Sequence, residues 1–427
     1  MVGIIMLISL VIFMFTGMPI VFALLLSCVS ALMAIGLADW NVIAQTFFTG
    51  LNTFPILACP LFILAGYIME CSGMSERLLK WVRCFTGKSR GGAGSVALVG
   101  CGLFASMTGS GPATVAAMGT ILFPIMVQEG YPKGSAAGLL ACGGALGPII
   151  PPSIIMMIYG TTMGVSIPDM FIGSVIPGLI LLTVLLVTNH FVSKKFNITI
   201  DETTYTFLDK LKATWSAAGT LALPVIILGS IYTGICTPTE AAGLACVYSF
   251  SIALFYREMT VKKMFEVLQI SAKVSAKSLI ILGSANLFGW VLAIAHIPSD
   301  ITNFLVPLLK TPGIYMGVLM MILFFIGTIM EGIASVLIIA PIIVPTGIAM
   351  GIDPLHLGVI FCIAMVLGFV TPPFGVNLFM SCGITKVGFS EVVKGAFPYI
   401  ITMMVTIIII SYFPKIIIWL PNLMTVH

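Results

Sequence analysis

The sequence predicts an all-helical, multi-pass membrane protein with an inverted repeat, in which each repeat holds a re-entrant helical hairpin and a broken helix. Composition is the first observation: 59% of the 427 residues are hydrophobic and only 8% are charged. Soluble domains carry about 25% charged residues, so this chain cannot cover a water-facing surface. At about 20 apolar residues per span, it has room for about a dozen membrane helices.

An internal repeat is the second observation. Residues 109–153 align without gaps on residues 330–374, and glycines and prolines, which interrupt helices, are prominent among the ten identities. Irregular backbone persists in a membrane only where protein buries it or a wet cavity solvates it. Matching Gly/Pro-interrupted segments in two halves point to the binding site of a secondary transporter. The alternative is a pair of ordinary proline kinks.

Each repeat unit reads as two apolar limbs around a polar, Gly-containing tip, followed by a short turn and a broken helix. The limbs are too short to cross the bilayer comfortably, which predicts a hairpin whose tip lies near the midplane. The predicted segments are limbs 93–107 and 112–128 with broken helix 134–163, and limbs 314–329 and 333–350 with broken helix 355–385.

The N-terminal segment 1–38 contains no charged side chain. It lacks the basic region and cleavage site of a secretory signal, so we expect it to be retained. As one helix it would span about 57 Å, well beyond the hydrocarbon core. The segment is therefore steeply tilted, or bent near residues 17–19.

Charge placement predicts the orientation. Residues 76–90 hold five basic side chains against Glu76, so the positive-inside rule makes this loop cytoplasmic. The loop at 296–313 holds only Asp300 and Lys310, which suits the opposite face. The two hairpins should then enter from opposite faces of the membrane.

Two polar stretches, 205–216 and 260–277, show a helical period of apolar and polar residues. The longer one has a basic face, which suits anionic headgroups and favours helices lying in the membrane interface over solvated loop helices. The predicted parts are an N-terminal scaffold 1–92, transport repeat 93–163, scaffold 164–313, transport repeat 314–385 and a C-terminal helix 386–427.

The tips and breaks offer hydroxyl groups and unpaired carbonyls. Half-helix ends and unwound carbonyls coordinate alkali cations in transporters, without needing a carboxylate. The candidate cation ligands are Ser106, Thr108, Ser110, Gly147, Ile150, Pro152, Gly327, Gly332, Gly368 and Thr371.

Helix N-termini at the two tips present free N–H groups that suit a carboxylate substrate. A glutamate at membrane depth, Glu331, is a functional candidate by default, although it could instead reach water or a buried arginine. The pattern indicates a cation-coupled carrier of a small organic anion. The candidate substrate residues are Ser110, Gly111, Pro112, Glu331, Gly332 and Ser335.

Other functional classes find little support. The sequence has no phosphate loop and no nucleophile–base constellation, so we expect no enzymatic activity and no cofactor. No basic run suggests a nucleic-acid partner. The segment 237–240 superficially matches the coupling loop of ATP-driven permeases, but it reads better as a capping box with proline at the first helical position.

Six segments together resemble the large membrane subunit of the tripartite ATP-independent periplasmic (TRAP) transporters, nearly from end to end. The resemblance implies an elevator-type fold of the ion transporter superfamily, with two sodium sites at the tips and breaks. Gly111 departs from the serine that many members carry, so at this position only the carbonyl can be a ligand. The segments are 60–66, 104–114, 130–132, 149–153, 237–242 and 371–373.

The same resemblance implies partners and a location. We expect a separate small four-helix membrane subunit and a periplasmic binding protein that delivers an organic acid, with C4-dicarboxylates and sialic acids as family substrates. The complex would lie in the bacterial cytoplasmic membrane, with sodium as the coupling ion. The alternatives are a stand-alone sodium/dicarboxylate symporter of the same fold and a channel-like or structural membrane protein.

Overall fold

The structure, a computed structural model, describes residues 2–86, 91–196, 198 and 205–424. Regular structure in these residues is helical throughout, which confirms the predicted class. Nine of the described helices are long and apolar enough to cross a bilayer. Lys88 and Arg90 of the predicted basic loop lie outside the described residues.

The N-terminal region confirms the bend and corrects two other predictions. The chain turns at residues 16–19, where Gly17 adopts a φ of +77° that other residues rarely adopt. The predicted span 43–70 is interrupted before residue 58, and the loop predicted at 76–90 is helical up to Thr86. The helices are α1 (Val2–Phe15), α2 (Ile20–Ala34), α3 (Trp40–Leu51), the 3-10 helix Phe54–Leu57, α4 (Ala58–Cys71) and α5 (Met74–Thr86).

The first repeat unit has the predicted two limbs and an interrupted helix. Pro112 lies in the first turn of the second limb, where its missing N–H costs nothing. Pro132 precedes the interrupted helix. The helices are α6 (Gly92–Thr108), α7 (Gly111–Gln128), α8 (Lys133–Gly144) and α9 (Ile154–Met163).

In the middle region the structure corrects the interfacial helices. The stretches 205–216 and 260–277 are helical, but each continues without a break into the following membrane span. The second forms a helix of 34 residues. The loop predicted at 296–313 is largely helical, because its few charges leave an apolar face that can pack. The helices are α10 (Ile167–Ser193), α11 (Phe207–Tyr232), α12 (Pro238–Phe255), α13 (Val261–Ile294) and α14 (Ile297–Leu309).

The second repeat unit follows the same order. Asp353 caps its interrupted helix by accepting hydrogen bonds from the backbone N–H groups of Leu355 and His356. The predicted C-terminal helix 386–427 is two helices. The helices are α15 (Pro312–Ile329), α16 (Gly332–Ala349), α17 (Pro354–Gly368), α18 (Val376–Thr385), α19 (Phe389–Tyr412) and α20 (Lys415–Met424).

The two repeat units pack against each other through their hairpins and their last helices. The second limb of each hairpin packs against the last helix of the other unit, so α16 contacts α9 and α7 contacts α18. The long helix α13 packs against α3, α4 and α16. Both tips are therefore placed beside the same part of the molecule. Which helices move and which stay fixed remains a prediction.

Polar contacts position α5 at the open end of the first hairpin. Arg83 on α5 forms an ion pair with Glu129, directly after α7, at 3.3 Å. Arg77 pairs with Glu258 at 2.7 Å, and its guanidinium lies 3.9 Å from the centre of the Tyr256 ring. The basic helix is thus attached both to the first repeat unit and to the turn between α12 and α13.

Candidate functional site

The first tip is a tight reversal between α6 and α7. Gly109 ends α6 with a φ of +61°, and its N–H donates to the Ala105 carbonyl at 2.9 Å. Pro112 then starts α7. The three residues between Thr108 and Pro112 therefore turn the chain without a longer loop.

Glycines let this tip touch the break between α8 and α9. A Cβ atom added at Gly147 would lie 2.6 Å from the carbonyl oxygen of Ser110, and one added at Gly109 would lie 2.7 Å from that of Pro152. Contacts this short do not occur in folded proteins, so both positions need glycine. The structure brings together the tip and break that the sequence predicts to form one site.

Hydroxyl groups surround the first tip. The Thr108 and Thr114 hydroxyl oxygens lie 3.3 Å apart, and the Thr114 hydroxyl donates to the Ser110 carbonyl at 2.8 Å. Two further predicted ligands, Ser106 and Ile150, make the following contacts. The Ser106 hydroxyl donates to the Leu103 carbonyl within its own helix, and the Ile150 side chain lies near Gly102 of α6 and Gly178 of α10.

Asn377, at the start of α18, is a residue that the sequence analysis missed. Its amide nitrogen donates to the Ala141 carbonyl at 3.2 Å, whereas its buried Oδ1 has no hydrogen-bond partner. A Cβ atom at Gly111 would lie 2.9 Å from that oxygen, and one at Gly144 would lie 3.0 Å from the Gly111 carbonyl oxygen. Asn377 thus supplies a side-chain oxygen beside a glycine that has none.

The second tip approaches its own break in the same way. Gly327 and Gly368 are in direct backbone contact, and a Cβ atom at Gly327 would lie 2.6 Å from the Met365 carbonyl oxygen. The Thr371 hydroxyl donates to the Leu367 carbonyl at 2.8 Å. Ser335 is fully buried, and its hydroxyl has no partner. An unpaired buried oxygen therefore accompanies each tip.

Both tips open on one cavity of about 520 Å³, which we call the inner cavity. Helices α4, α7, α9, α13, α16 and α18 contribute to its wall, so it lies between the repeat units and the long helix α13. Five of the six predicted substrate residues line it: Ser110, Gly111, Pro112, Glu331 and Gly332. The sixth, Ser335, lies one helical turn further along α16. The other lining residues that matter here are Tyr67, Glu70, Pro148, Lys277, Ser278 and Phe369.

Glu331 has a partner that the sequence analysis did not find. Its carboxylate lies 3.4 Å from the Lys277 ammonium, and the two side chains are 45% and 67% exposed. The partner is thus a lysine and not a buried arginine, and the exposure of Glu331 agrees with the alternative that this side chain reaches water. Among the described residues of the wall, Lys277 supplies positive charge, while Glu70 and Glu331 supply negative charge. Lys277 is the last charged residue before the apolar part of α13, and this position is the feature of the sequence that could have identified it as a site residue.

Comparisons with known proteins agree with this architecture. Residues 7–416 match the family described as "Tripartite ATP-independent periplasmic transporter, DctM component". The C4-dicarboxylate TRAP transporter large permease protein DctM of Rhodobacter capsulatus is 36% identical, and the match covers 96% of this chain and 97% of that protein. The sialic acid TRAP transporter large permease protein SiaM of Vibrio cholerae is 29% identical, with 96% of both chains covered.

Two further similarities concern the boundaries and the fold. The isethionate TRAP transporter permease protein DctMQ of Oleidesulfovibrio alaskensis is 36% identical, and the match covers 95% of this chain but 64% of that protein. The YdaH transporter of Alcanivorax borkumensis shares the fold, with a TM-score of 0.63 at 11% identity and coverage of 90% and 88%. Its low identity carries no statement about function. The family match, in contrast, covers residues 7–416, nearly the whole chain. The chain therefore belongs to the DctM component family of the tripartite ATP-independent periplasmic transporters.

Proposed function

We propose that this chain is the membrane-embedded transport subunit of a sodium-coupled importer for a small organic acid. The observation that carries the proposal is the convergence of both tips and Lys277 on the inner cavity. Such tips, where helices begin in the middle of a membrane domain, are where secondary transporters hold substrate and coupling ions.

An anionic substrate suits the inner cavity. Two helices, α7 and α16, begin at its wall, and their free N–H groups attract negative charge. Lys277 adds a full positive charge. In this structure the Lys277 ammonium is paired with the Glu331 carboxylate, and a substrate carboxylate can replace Glu331 as its partner. Lys277 and the two helix N-termini are therefore the groups that can hold a carboxylate, against the negative charges of Glu70 and Glu331 in the same wall.

The relatives narrow the class of acid to be tested first. Permeases named for C4-dicarboxylates are 36% and 39% identical to this chain, whereas the one named for sialic acid is 29% identical. Relatives named for isethionate and for 2,3-diketo-L-gulonate take other small anions. A C4-dicarboxylate is therefore the first substrate to test, with sialic acid as the comparison.

Sodium suits the oxygen atoms at the two tips. Beside the first tip, the Gly144 carbonyl and the unpaired Asn377 Oδ1 both lie next to Gly111, and the Ser110 carbonyl lies next to Gly147. At the second, the Met365 and Gly327 carbonyls lie where Gly327 meets the break, and the buried Ser335 hydroxyl, one helical turn into α16, is unpaired. A buried oxygen without a partner is costly, and a bound cation would satisfy it. Two sodium sites, one per repeat unit, are the proposed arrangement.

The proposed partners follow the family. A periplasmic binding protein delivers the acid, and a small four-helix membrane subunit completes the complex in the bacterial cytoplasmic membrane. In the isethionate relative the name DctMQ and the unmatched third of the chain suggest that two membrane parts are fused. The repeat units 93–163 and 314–385 move together, as in other transporters built from repeats.

Uptake into proteoliposomes tests the proposal. The chain is reconstituted with its small membrane subunit and its periplasmic binding protein, and radiolabelled succinate and sialic acid are supplied outside. We expect uptake of one acid that requires an inward sodium gradient. Equal uptake with potassium in place of sodium on both sides would contradict sodium coupling. Undiminished uptake without the binding protein would instead identify a stand-alone symporter.

A further inference from the structure

A second cavity lies on the other side of the tips, between α3, α9, α13 and α16. Its volume is about 630 Å³, and we call it the outer cavity. None of the described residues that line it carries a charge, and many carry hydroxyl or amide groups. Those polar residues are Gln45, Thr46, Thr49, Thr53, Thr161, Thr162 and Asn286. A space of this size with this lining holds water readily.

A narrow apolar layer separates the two cavities. The gap within it is about 10 Å³, too small for a hydrated solute. Ser278 lines this gap and also the inner cavity, while Thr161 lines the gap and the outer cavity. The layer, which we call the apolar barrier, consists of Ile56, Cys59, Met157, Ile158, Leu279 and Leu282.

Along both α13 and α9, the residues that line the inner cavity are followed by barrier residues and then by residues that line the outer cavity. Along α13, Lys277 lines the inner cavity and Gly289 the outer cavity, with Leu279 and Leu282 between them. Along α9, Ile155 lines the inner cavity and Thr162 the outer, with Met157 and Ile158 between. The twelve positions from Lys277 to Gly289 correspond to about 18 Å of helix. The barrier is thus one short segment of a continuous path.

Charge assigns the two ends of this path to the two faces of the membrane. The first half of α13 carries several lysines that end at Lys277, and no charged residue follows up to Ile294. At the same end, α4 is followed by the basic helix α5. By the positive-inside rule, the inner cavity faces the cytoplasm and the outer cavity faces the periplasm.

We propose that the outer cavity is the periplasmic vestibule of the transport path, and that the apolar barrier closes it in the conformation described. Its neutral hydroxyl and amide groups offer hydrogen bonds to a hydrated acid without binding its charge tightly, so the acid can pass on to Lys277. Four of the six barrier residues come from the 3-10 helix, α4 and α13. The other two come from α9 of the first repeat unit. Movement of α9 therefore opens or closes the barrier.

This inference rests on the proposed transport function, but its test needs no substrate. Two cysteines on the same helix are compared, Gly289→Cys in the outer cavity and Ser278→Cys on the inner side of the barrier. A Cβ atom at Gly289 meets nothing within 4 Å, so this substitution should not disturb the fold. The complete complex is exposed to the membrane-impermeant thiol reagent MTSES, first in right-side-out vesicles and then in inverted ones. The wild-type protein, with its ten native cysteines, gives the background rate.

We expect MTSES to label Gly289→Cys at least tenfold faster from the periplasmic side than from the cytoplasmic side, with the opposite preference for Ser278→Cys. Thr162→Cys on α9, also in the outer cavity, should follow Gly289→Cys. Cytoplasmic labelling of Gly289→Cys and Thr162→Cys, or no labelling from either side while Ser278→Cys reacts, would overturn the vestibule. A failure of sodium coupling would leave this labelling pattern intact, so the two proposals can fail separately.

Discussion

Gly147 is the position where one added methyl group should report most clearly on the first sodium site. Its φ lies outside the left-handed region, so alanine can adopt the same backbone conformation. The added Cβ would nevertheless lie 2.6 Å from the Ser110 carbonyl oxygen and 2.9 Å from the Gly111 backbone nitrogen. Both atoms belong to the backbone and cannot rotate away. The tip must therefore move by about half an ångström or more to restore normal contact.

The displacement of the tip should lower the affinity for sodium by an amount that can be estimated. Overpacking a well-packed site costs about 1–3 kcal/mol. If the cost falls on the tip–break contact that holds sodium, the affinity for sodium drops about 5- to 150-fold. The matched control is Gly229→Ala on α11, since a Cβ atom there meets nothing within 4 Å and Gly229 lines neither cavity. We expect Gly229→Ala to behave like the wild type.

The assay is initial uptake into proteoliposomes as a function of external sodium. Expression and thermal unfolding in the absence of sodium are measured beside it, which separates a damaged site from a damaged fold. We expect Gly147→Ala to raise the sodium concentration for half-maximal uptake at least fivefold. The reasoning is refuted if Gly147→Ala and Gly229→Ala give the same sodium titration.

Two further predictions concern the side chains of Ser110 at the first tip, Thr371 at the second break and Lys277 in the inner cavity. Ser110→Ala and Thr371→Ala should each weaken sodium dependence about 5- to 150-fold, the effect of losing a hydrogen bond or ligand worth about 1–3 kcal/mol; unchanged sodium titrations in both would place the sites elsewhere. Lys277→Gln should raise the KM for the acid about tenfold or more, because a hydrogen bond to a charged group is worth about 1.5–3 kcal/mol. Lys277→Arg, measured as its control, should keep most of the affinity, and equal KM values in Lys277→Gln and the wild type would exclude this lysine as a substrate ligand.

The boundaries of the repeat units could be predicted because glycine and proline mark them in the sequence. Pro112, Pro132 and Pro354 stand at or before the first turn of a helix, and Gly109 ends one. These residues act through local backbone geometry, which depends on few neighbours. The limbs and broken helices therefore lie within a few residues of their predicted positions.

Features that depend on distant contacts could not be predicted in the same way. The ion pair between Lys277 and Glu331 joins residues from α13 and α16, and nothing in either segment identifies the partner. Asn377 looks like an ordinary polar residue until α18 places it beside Gly111. The amphipathic pattern at 260–277 predicts a separate helix because its charges stop at Lys277, although the helix continues to Ile294.

The central claim is that the repeat units move as a body against the rest of the chain, and one disulfide tests it most directly. Gly66 on α4 faces Thr108 at the end of α6, and a Cβ atom at Gly66 would lie 3.6 Å from the Thr108 Cβ. That separation lies within the range of Cβ–Cβ distances found in disulfides. The double variant Gly66→Cys/Thr108→Cys therefore links the predicted static part to the first repeat unit.

Uptake is measured after oxidation, after reduction, and in each single variant as a control for the substitutions themselves. The account predicts that the oxidised double variant transports nothing and that reduction restores uptake to the level of the single variants. Complete cross-linking with undiminished uptake would contradict it, since α4 and α6 would then not move apart during transport.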